Sequence, residues 1–109
     1  MTQRPRDMTS YGEFLERKSQ LWVHLVDELK RIRTLKDDWD GEGTEAPPVS
    51  LVDAAITLAQ KLEANGYPPA DRVIASVNGT IYFEWHAPGG YQEIEVTSPV
   101  HAEFRTVCP

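Results

Sequence analysis

The chain has 109 residues, of which 40% are hydrophobic and 26% charged, and its formal net charge is −6. This length suits one domain, and the apolar content is enough for a compact core and too high for wholesale disorder. No stretch approaches the ~20 apolar residues of a membrane helix, and no signal segment follows the polar start. We therefore expect a cytoplasmic protein that does not associate with a membrane. The lone Cys108 excludes an internal disulfide framework and a multi-cysteine zinc site.

The charge is divided unevenly along the chain. Residues 1–36 carry eight basic and five acidic side chains, a net +3, whereas residues 37–109 carry three basic and twelve acidic ones, a net −9. This asymmetry predicts surfaces of opposite sign near the two ends of the domain.

The first predicted element is a helix that begins at Ser10, after a flexible lead of residues 1–9. Ser10 and Glu13 have the spacing of a capping box. Apolar residues then recur at helical intervals to about residue 33, with cations in the last turn. The predicted apolar face comprises Tyr11, Phe14, Leu15, Leu21, Trp22, Leu25, Val26, Leu29 and Ile32.

A connector and a second helix follow. Two glycines and two prolines interrupt the helical period over residues 36–49. Ser50 is predicted to begin the second helix, with Asp53 at the capping-box offset, and residues 65–66 are predicted to end it in a left-handed turn. Its apolar stripe comprises Leu51, Ala54, Ala55, Leu58, Ala59 and Leu62.

From residue 72 onward the period is two, and turns at residues 78–79, 88–90 and 98–99 divide four strands. A three-residue loop ending in a left-handed Gly79 sets Ala75 beside Ile81, whereas a two-residue turn would expose half of the apolar set. The later turns are predicted to place His86 opposite Tyr91 and Thr97 opposite His101. One face then comprises Val73, Ala75, Ile81, Phe83, Trp85, Ile94, Val96, Ala102 and Phe104.

Two apolar helices can cover that face. The predicted fold is therefore α+β, with two N-terminal helices packed on one face of a four-stranded antiparallel β-meander, αα-ββββ, in a single domain over residues 10–107.

The opposite face of the predicted sheet is polar and comprises Tyr82, Glu84, His86, Tyr91, Glu93, Glu95, His101, Glu103 and Arg105. The register places Glu84 opposite Glu93 and Glu95 opposite Glu103. Like charges directly opposed destabilise a sheet, so we expect solvent, a metal ion or a basic partner to offset them.

Three interpretations of this polar face remain open. It can be an ordinary solvated sheet face. It can be a docking surface for a basic protein, or a mimic of nucleic acid, with the partner-binding residues Tyr82, Glu84, Tyr91, Glu93, Glu95 and Glu103. It can also hold a metal ion through Glu84, His86, Glu93, Glu95 and His101, although no tight motif fixes a geometry.

Other signals of chemistry are weak. Asp38, Asp40 and Glu42 imitate the start of a calcium loop, but Val49 stands where a bidentate Glu belongs. Trp39 is instead expected to plug the edge of the core. No nucleophile motif accompanies the three histidines and there is no phosphate-binding glycine loop, so we expect neither an enzyme nor a cofactor. The acidic sheet disfavours nucleic acid as a partner.

The central part of the chain resembles a family of small bacterial and phage proteins of uncharacterised activity. The resemblance covers residues 35–97 and rests on Leu35, residues 39–43 (Trp-Asp-Gly-Glu-Gly), Pro47, Ser50, Pro69, Val73, the turn at 78–79, residues 83–85 and residues 93–96. Glu42, where the family commonly has an aromatic residue, and the 98–99 turn depart from its usual form. The resemblance implies the αα-ββββ plan and no catalytic residues.

Three functional hypotheses follow. The first is a non-enzymatic interaction protein of antitoxin, immunity or phage-inhibitor type that binds a basic partner through the acidic face. The second is a metal-binding or catalytic protein that uses His86, His101 and the sheet glutamates. The third is a subunit that forms a homodimer through the helix of residues 10–33, since Tyr11, Phe14 and Leu15 extend beyond the expected sheet contact.

Overall fold

Two helices precede a four-stranded sheet in the structure, a computed structural model that describes residues 3–107 and the side chains of residues 12–107. The strands form one antiparallel sheet in the order β1-β2-β3-β4. The predicted α+β arrangement of αα-ββββ is therefore confirmed, and Cys108 lies outside the described residues. The elements are α1 (Gln3–Ile32), α2 (Val49–Ala64), β1 (Arg72–Ala75), β2 (Ile81–Ala87), β3 (Gly90–Ser98) and β4 (His101–Val107).

The predicted start of α1 is wrong, and that of α2 is one residue too late. Helix α1 begins at Gln3, so Ser10 lies within it and residues 3–9 are helical where a flexible lead was expected. Helix α2 begins at Val49 after Pro48, which caps it without a side-chain hydrogen bond. Asp53 instead accepts a hydrogen bond from Arg33 Nε at 2.9 Å and thereby links the two helices.

The end of α2 is as predicted. Gly66 adopts a positive φ of 81°. The amide of Tyr67 donates to the carbonyl of Leu62 and the amide of Gly66 donates to that of Glu63, which is the Schellman pattern. Glycine makes this left-handed turn at low cost, and the chain then leaves the helix toward β1.

The predicted strand register is confirmed except at the last turn. Ala75 pairs with Ile81, His86 with Tyr91 and Ile94 with Phe104. Ser98, rather than Thr97, faces His101, because the register shifts between Val96 and Ser98. One extra residue of β3 is accommodated there, so the connection to β4 is a tighter turn than the expected one.

The core lies between the helices and the apolar sheet face. Helix α1 contacts β1, and α2 contacts β2 and β3, but within the described residues neither helix contacts β4. Phe104 is therefore on the predicted face yet 53% exposed, and Trp39 is 40% exposed rather than plugging the edge of the core. The buried apolar residues are Trp22, Leu25, Leu29, Ile32, Leu51, Val52, Ala55, Ala59, Leu62, Ala70, Val73, Ile81, Phe83, Ile94 and Val96.

Neither helix combines the length and the apolar character needed to cross a bilayer, as far as the described residues extend.

Candidate functional site

The sheet face opposite the helices gathers the predicted partner-binding residues. Strand alternation and the observed register put them on three adjacent strands, and we call this surface the outer face. No described helix covers it, because both helices pack on the apolar side. Its predicted members are Tyr82 and Glu84 on β2, Tyr91, Glu93 and Glu95 on β3, and Glu103 on β4.

The two like-charged pairs predicted for the outer face are present. Glu84 is the direct partner of Glu93, and Glu95 is the direct partner of Glu103. Side chains directly opposite each other in an antiparallel pair have Cβ atoms about 4.5–5.5 Å apart, close enough for the carboxylates to repel. A compensating positive charge is therefore needed within the same surface.

Arg105 on β4 supplies most of that positive charge. Its Nε donates to Glu93 Oε2 at 2.7 Å and its Nη2 donates to Glu95 Oε1 at 2.5 Å. Its Nη1 donates to Glu103 Oε1 at 2.7 Å. The guanidinium also lies 5.9 Å from the centre of the Tyr82 ring. One arginine thus holds three of the four glutamates in fixed positions.

Arg72 on β1 compensates the remaining glutamate. The register places Arg72 opposite Glu84, and its Nε donates to Glu84 Oε1 at 2.6 Å. The expectation that solvent, a metal ion or a basic partner must offset these carboxylates is therefore wrong, because the chain's own arginines do so. They are two of the three cations in residues 37–109, the other being Lys61.

Burial separates the glutamates into two groups. Glu84 and Glu93 are only 8% and 9% exposed, whereas the Glu103 side chain is 50% exposed. Burial of Glu95 favours its neutral form, but the hydrogen bonds from Arg105 and Thr80 outweigh it, so the pKa of Glu95 is lowered from 4.5. Desolvation and the negative charge of Glu95 raise the pKa of Tyr82. The most exposed of the four glutamates of the outer face is thus Glu103.

The two outer histidines do not meet. His86 pairs with Tyr91 and His101 with Ser98, and these partners are seven residues apart on β3. At about 3.3 Å per residue, the histidines lie roughly 23 Å apart along the sheet. His86 and His101 therefore do not lie together in one site. Within the described residues no group of three or more His, Cys, Asp and Glu side chains could hold a metal ion.

The calcium-like segment uses its carboxylates to shape its own loop. Asp38 accepts a hydrogen bond from the amide of Gly43 at 2.6 Å. Asp40 accepts one from the amide of Glu42 at 3.0 Å and another from the Thr44 hydroxyl. The hydrogen bond from Thr44 lowers the pKa of Asp40 most, and the one from the Glu42 amide lowers it further. Asp38 and Asp40 thus stabilise the turn, and Glu42 is exposed on it.

The first half of α1 presents apolar side chains that are about half exposed, and the Lys18 ammonium lies 5.5 Å from the centre of the Phe14 ring. Phe14 is 54% exposed and Leu15 47% exposed, as expected from their position beyond the sheet. They continue the stripe that is buried further along the helix from Trp22 onward. The side chain of Tyr11, predicted to share this stripe, lies outside the described residues.

Sequence reasoning missed the roles of Arg72 and Thr80. Thr80 donates from its hydroxyl to Glu95 Oε2 at 2.8 Å, beside the hydrogen bond from Arg105. The signal for Arg72 was available, because the predicted pairing of Val73 with Phe83 also sets Arg72 opposite Glu84. Arg105 contacts three glutamates because of its side-chain conformation, and the spacing of residues in the sequence does not predict that conformation.

No protein-family model, curated protein or solved structure matches this chain.

Proposed function

We propose that the protein is a non-enzymatic protein-binding module of antitoxin, immunity or inhibitor type, and that its outer face is the binding surface. The observation that carries the proposal is the contact of Arg105 with Glu93, Glu95 and Glu103. These ion pairs hold the polar side chains in place before a partner arrives, which reduces the entropy lost on binding.

The composition of the outer face suits a protein partner. Tyr82 and Tyr91 are partly buried and offer apolar area together with a hydroxyl, as interface residues commonly do. Four glutamates and the two arginines, Arg72 and Arg105, leave a net charge of −2 when the histidines are neutral. The partner we propose therefore has a moderately basic surface that contacts the exposed edge around Glu103.

A matched pair of variants tests this proposal. Tyr91→Ala/Glu103→Lys alters the outer face, whereas Tyr67→Ala/Glu63→Lys makes the same chemical changes near the end of α2. Each tagged protein is used for affinity capture from a lysate of the cells that produce the protein, and the captured proteins are quantified by mass spectrometry.

For a protein that the wild type enriches, we expect the outer-face variant to capture at least tenfold less than the wild type does. The α2 variant should capture the same amount as the wild type. Equal capture by the two variants would show that the outer face is not the binding surface. Failure of the wild type to enrich any protein above the bare matrix would also overturn the proposal.

A further inference from the structure

Strand β4 is an uncovered edge of the sheet. Within the described part of the chain it pairs with β3 alone, and at seven residues it is longer than the four-residue β1 at the other edge. Its sequence, HAEFRTV, contains neither the proline nor the lysine that commonly protect an edge strand. The free backbone groups of such an edge can pair with another strand.

The apolar side of β4 is also open. Phe104 is 53% exposed, and Ala102 beside it is exposed too. A groove of about 410 Å³ separates β4 from α2, and its lining includes the apolar Leu58 and Ala102 and the polar Thr57 and Lys61. The helical layer therefore ends before the sheet does, which leaves Phe104 and Ala102 open along the free edge.

The occupant of this edge is indicated by the sequence of β4 itself. The midpoint of His101–Val107 is Phe104, so two copies related by a two-fold axis through this residue would pair all seven positions. In that register Glu103 of each copy lies opposite Arg105 of the other on the outer face, and the two Phe104 rings meet on the apolar face. Ala102 lies opposite Thr106.

Neighbouring registers lack this complementarity. An axis through Glu103 sets that acid against itself, and an axis through Arg105 sets two guanidiniums against each other, while each shortens the pairing to five residues. Strand length and charge thus select the same register independently. Glu103 and Arg105 keep 50% and 37% of their side-chain surfaces exposed, so both are accessible to a second chain.

We propose that two copies of this chain associate through β4 and form a continuous eight-stranded antiparallel sheet centred on Phe104. The association is isologous, because each copy contributes the same strand. It uses the backbone edge of β4, whereas the proposed partner contacts the side chains of the outer face, and the two surfaces share Glu103. It differs from a dimer formed through α1.

A charge exchange at the exposed pair of positions 102 and 106 tests the proposed register. Ala102→Lys/Thr106→Lys sets lysine against lysine across the axis, and Ala102→Glu/Thr106→Glu sets glutamate against glutamate. Mixing the two variants sets lysine against glutamate at both positions. The Arg105 contacts are left intact, and circular dichroism checks that each variant is folded.

Light scattering after gel filtration should give the wild type twice the 12.3 kDa mass of the chain at the top of a dilution series. Each double variant should give the monomer mass, and their equimolar mixture should recover a dimer with one copy of each, identified by native mass spectrometry. In the wild type, hydrogen exchange at β4 should slow as the dimer forms.

Four results would overturn the proposal. A wild type that stays monomeric at every concentration of the dilution series would show that no dimer forms. Double variants that both remain dimeric would place the contact elsewhere, for example on α1. Monomeric variants whose mixture also stays monomeric would refute the register. The hydrogen-exchange result needs no variant, so unchanged exchange at β4 in a dimeric wild type would refute the edge pairing.

Discussion

Arg105 on β4 lies directly opposite Glu93 on β3, and its Nε donates a 2.7 Å hydrogen bond to a carboxylate oxygen of Glu93. The Glu93 side chain is 12% exposed, so little water is available to replace this partner. Removing one member of a buried ion pair is more damaging than the pair's own contribution to stability, because the other charge is left desolvated. Arg105 is thus expected to matter to stability as well as to the outer face.

The first prediction concerns Arg105→Met, which leaves Glu93 and Glu95 without their cation. We expect a lower urea midpoint than in the wild type, measured by circular dichroism. The control is Arg31→Met, since Arg31 and Glu28 form a pair whose side chains are 72% and 45% exposed. That pair should contribute less than about 1 kcal/mol. Equal losses in the two variants would contradict the structural role of Arg105.

The second prediction concerns the pH dependence of stability. The folded-state pKa of Glu95 lies below its usual value of 4.5, so its charged form contributes stability that is present above pH 4.5 and is lost as the pH falls through the folded-state value. We expect Glu95→Gln to be less stable than the wild type near neutral pH and to approach it in acid.

Urea unfolding at a series of pH values measures this difference. Thr80→Val removes the hydroxyl that donates to Glu95 at 2.8 Å, and should give a smaller change of the same sign. A stability difference between Glu95→Gln and the wild type that does not vary with pH would contradict the assignment.

The third prediction compares two leucines of α1. Leu29 is fully buried, whereas Leu21 is 47% exposed. Leu29→Ala should lower the free energy of unfolding by about 2–5 kcal/mol, since it removes buried methyl groups and leaves a cavity. Leu21→Ala should change it by less than about 1 kcal/mol, because a half-exposed side chain has less buried surface to lose. Chemical denaturation checks both values, and similar losses would mean that α1 packs in another rotation.

The fourth prediction concerns two glycines with opposite roles. Gly79 has a φ of 76°, and a Cβ there would lie 3.4 Å from the Glu45 side chain. Gly79→Ala should therefore destabilise the protein by about 1 kcal/mol. Gly12 lies within α1 with nothing within 4 Å of an added Cβ, so Gly12→Ala should increase helical content. Thermal unfolding and circular dichroism should report these opposite signs, and a stabilising Gly79→Ala would contradict the left-handed turn.

The strand register was predictable because the core determines it. Phe83 and Ile94 must share a face to be buried, and a slip of one residue would turn both toward solvent. The start of α1 was not predictable in the same way. Ser10 has a suitable capping sequence, yet a cap matters only where a helix ends, and Pro5 is tolerated in the first turn of the longer helix.

The sequence predicted which residues lie on the outer face, but it did not predict the ion pairs that they form. Alternation places Glu84, Glu93 and Arg105 on one side of the sheet, and the structure agrees. The charge count of residues 37–109 suggested an unneutralised acidic surface, because it ignores where the few cations lie. Two of those three cations are beside the glutamates, so the local charge differs from the average.

The helices precede the whole sheet in the chain, and this order matters during synthesis. Trp22 and Leu29 emerge from the ribosome well before Phe83 and Ile94, which belong to the same buried core. Strands that pair only with their neighbours in sequence then need short loop closures, which favours rapid completion of the sheet. Until β3 emerges, the nascent helices present an unfinished apolar surface, so a chaperone would find its binding site on the first half of the protein.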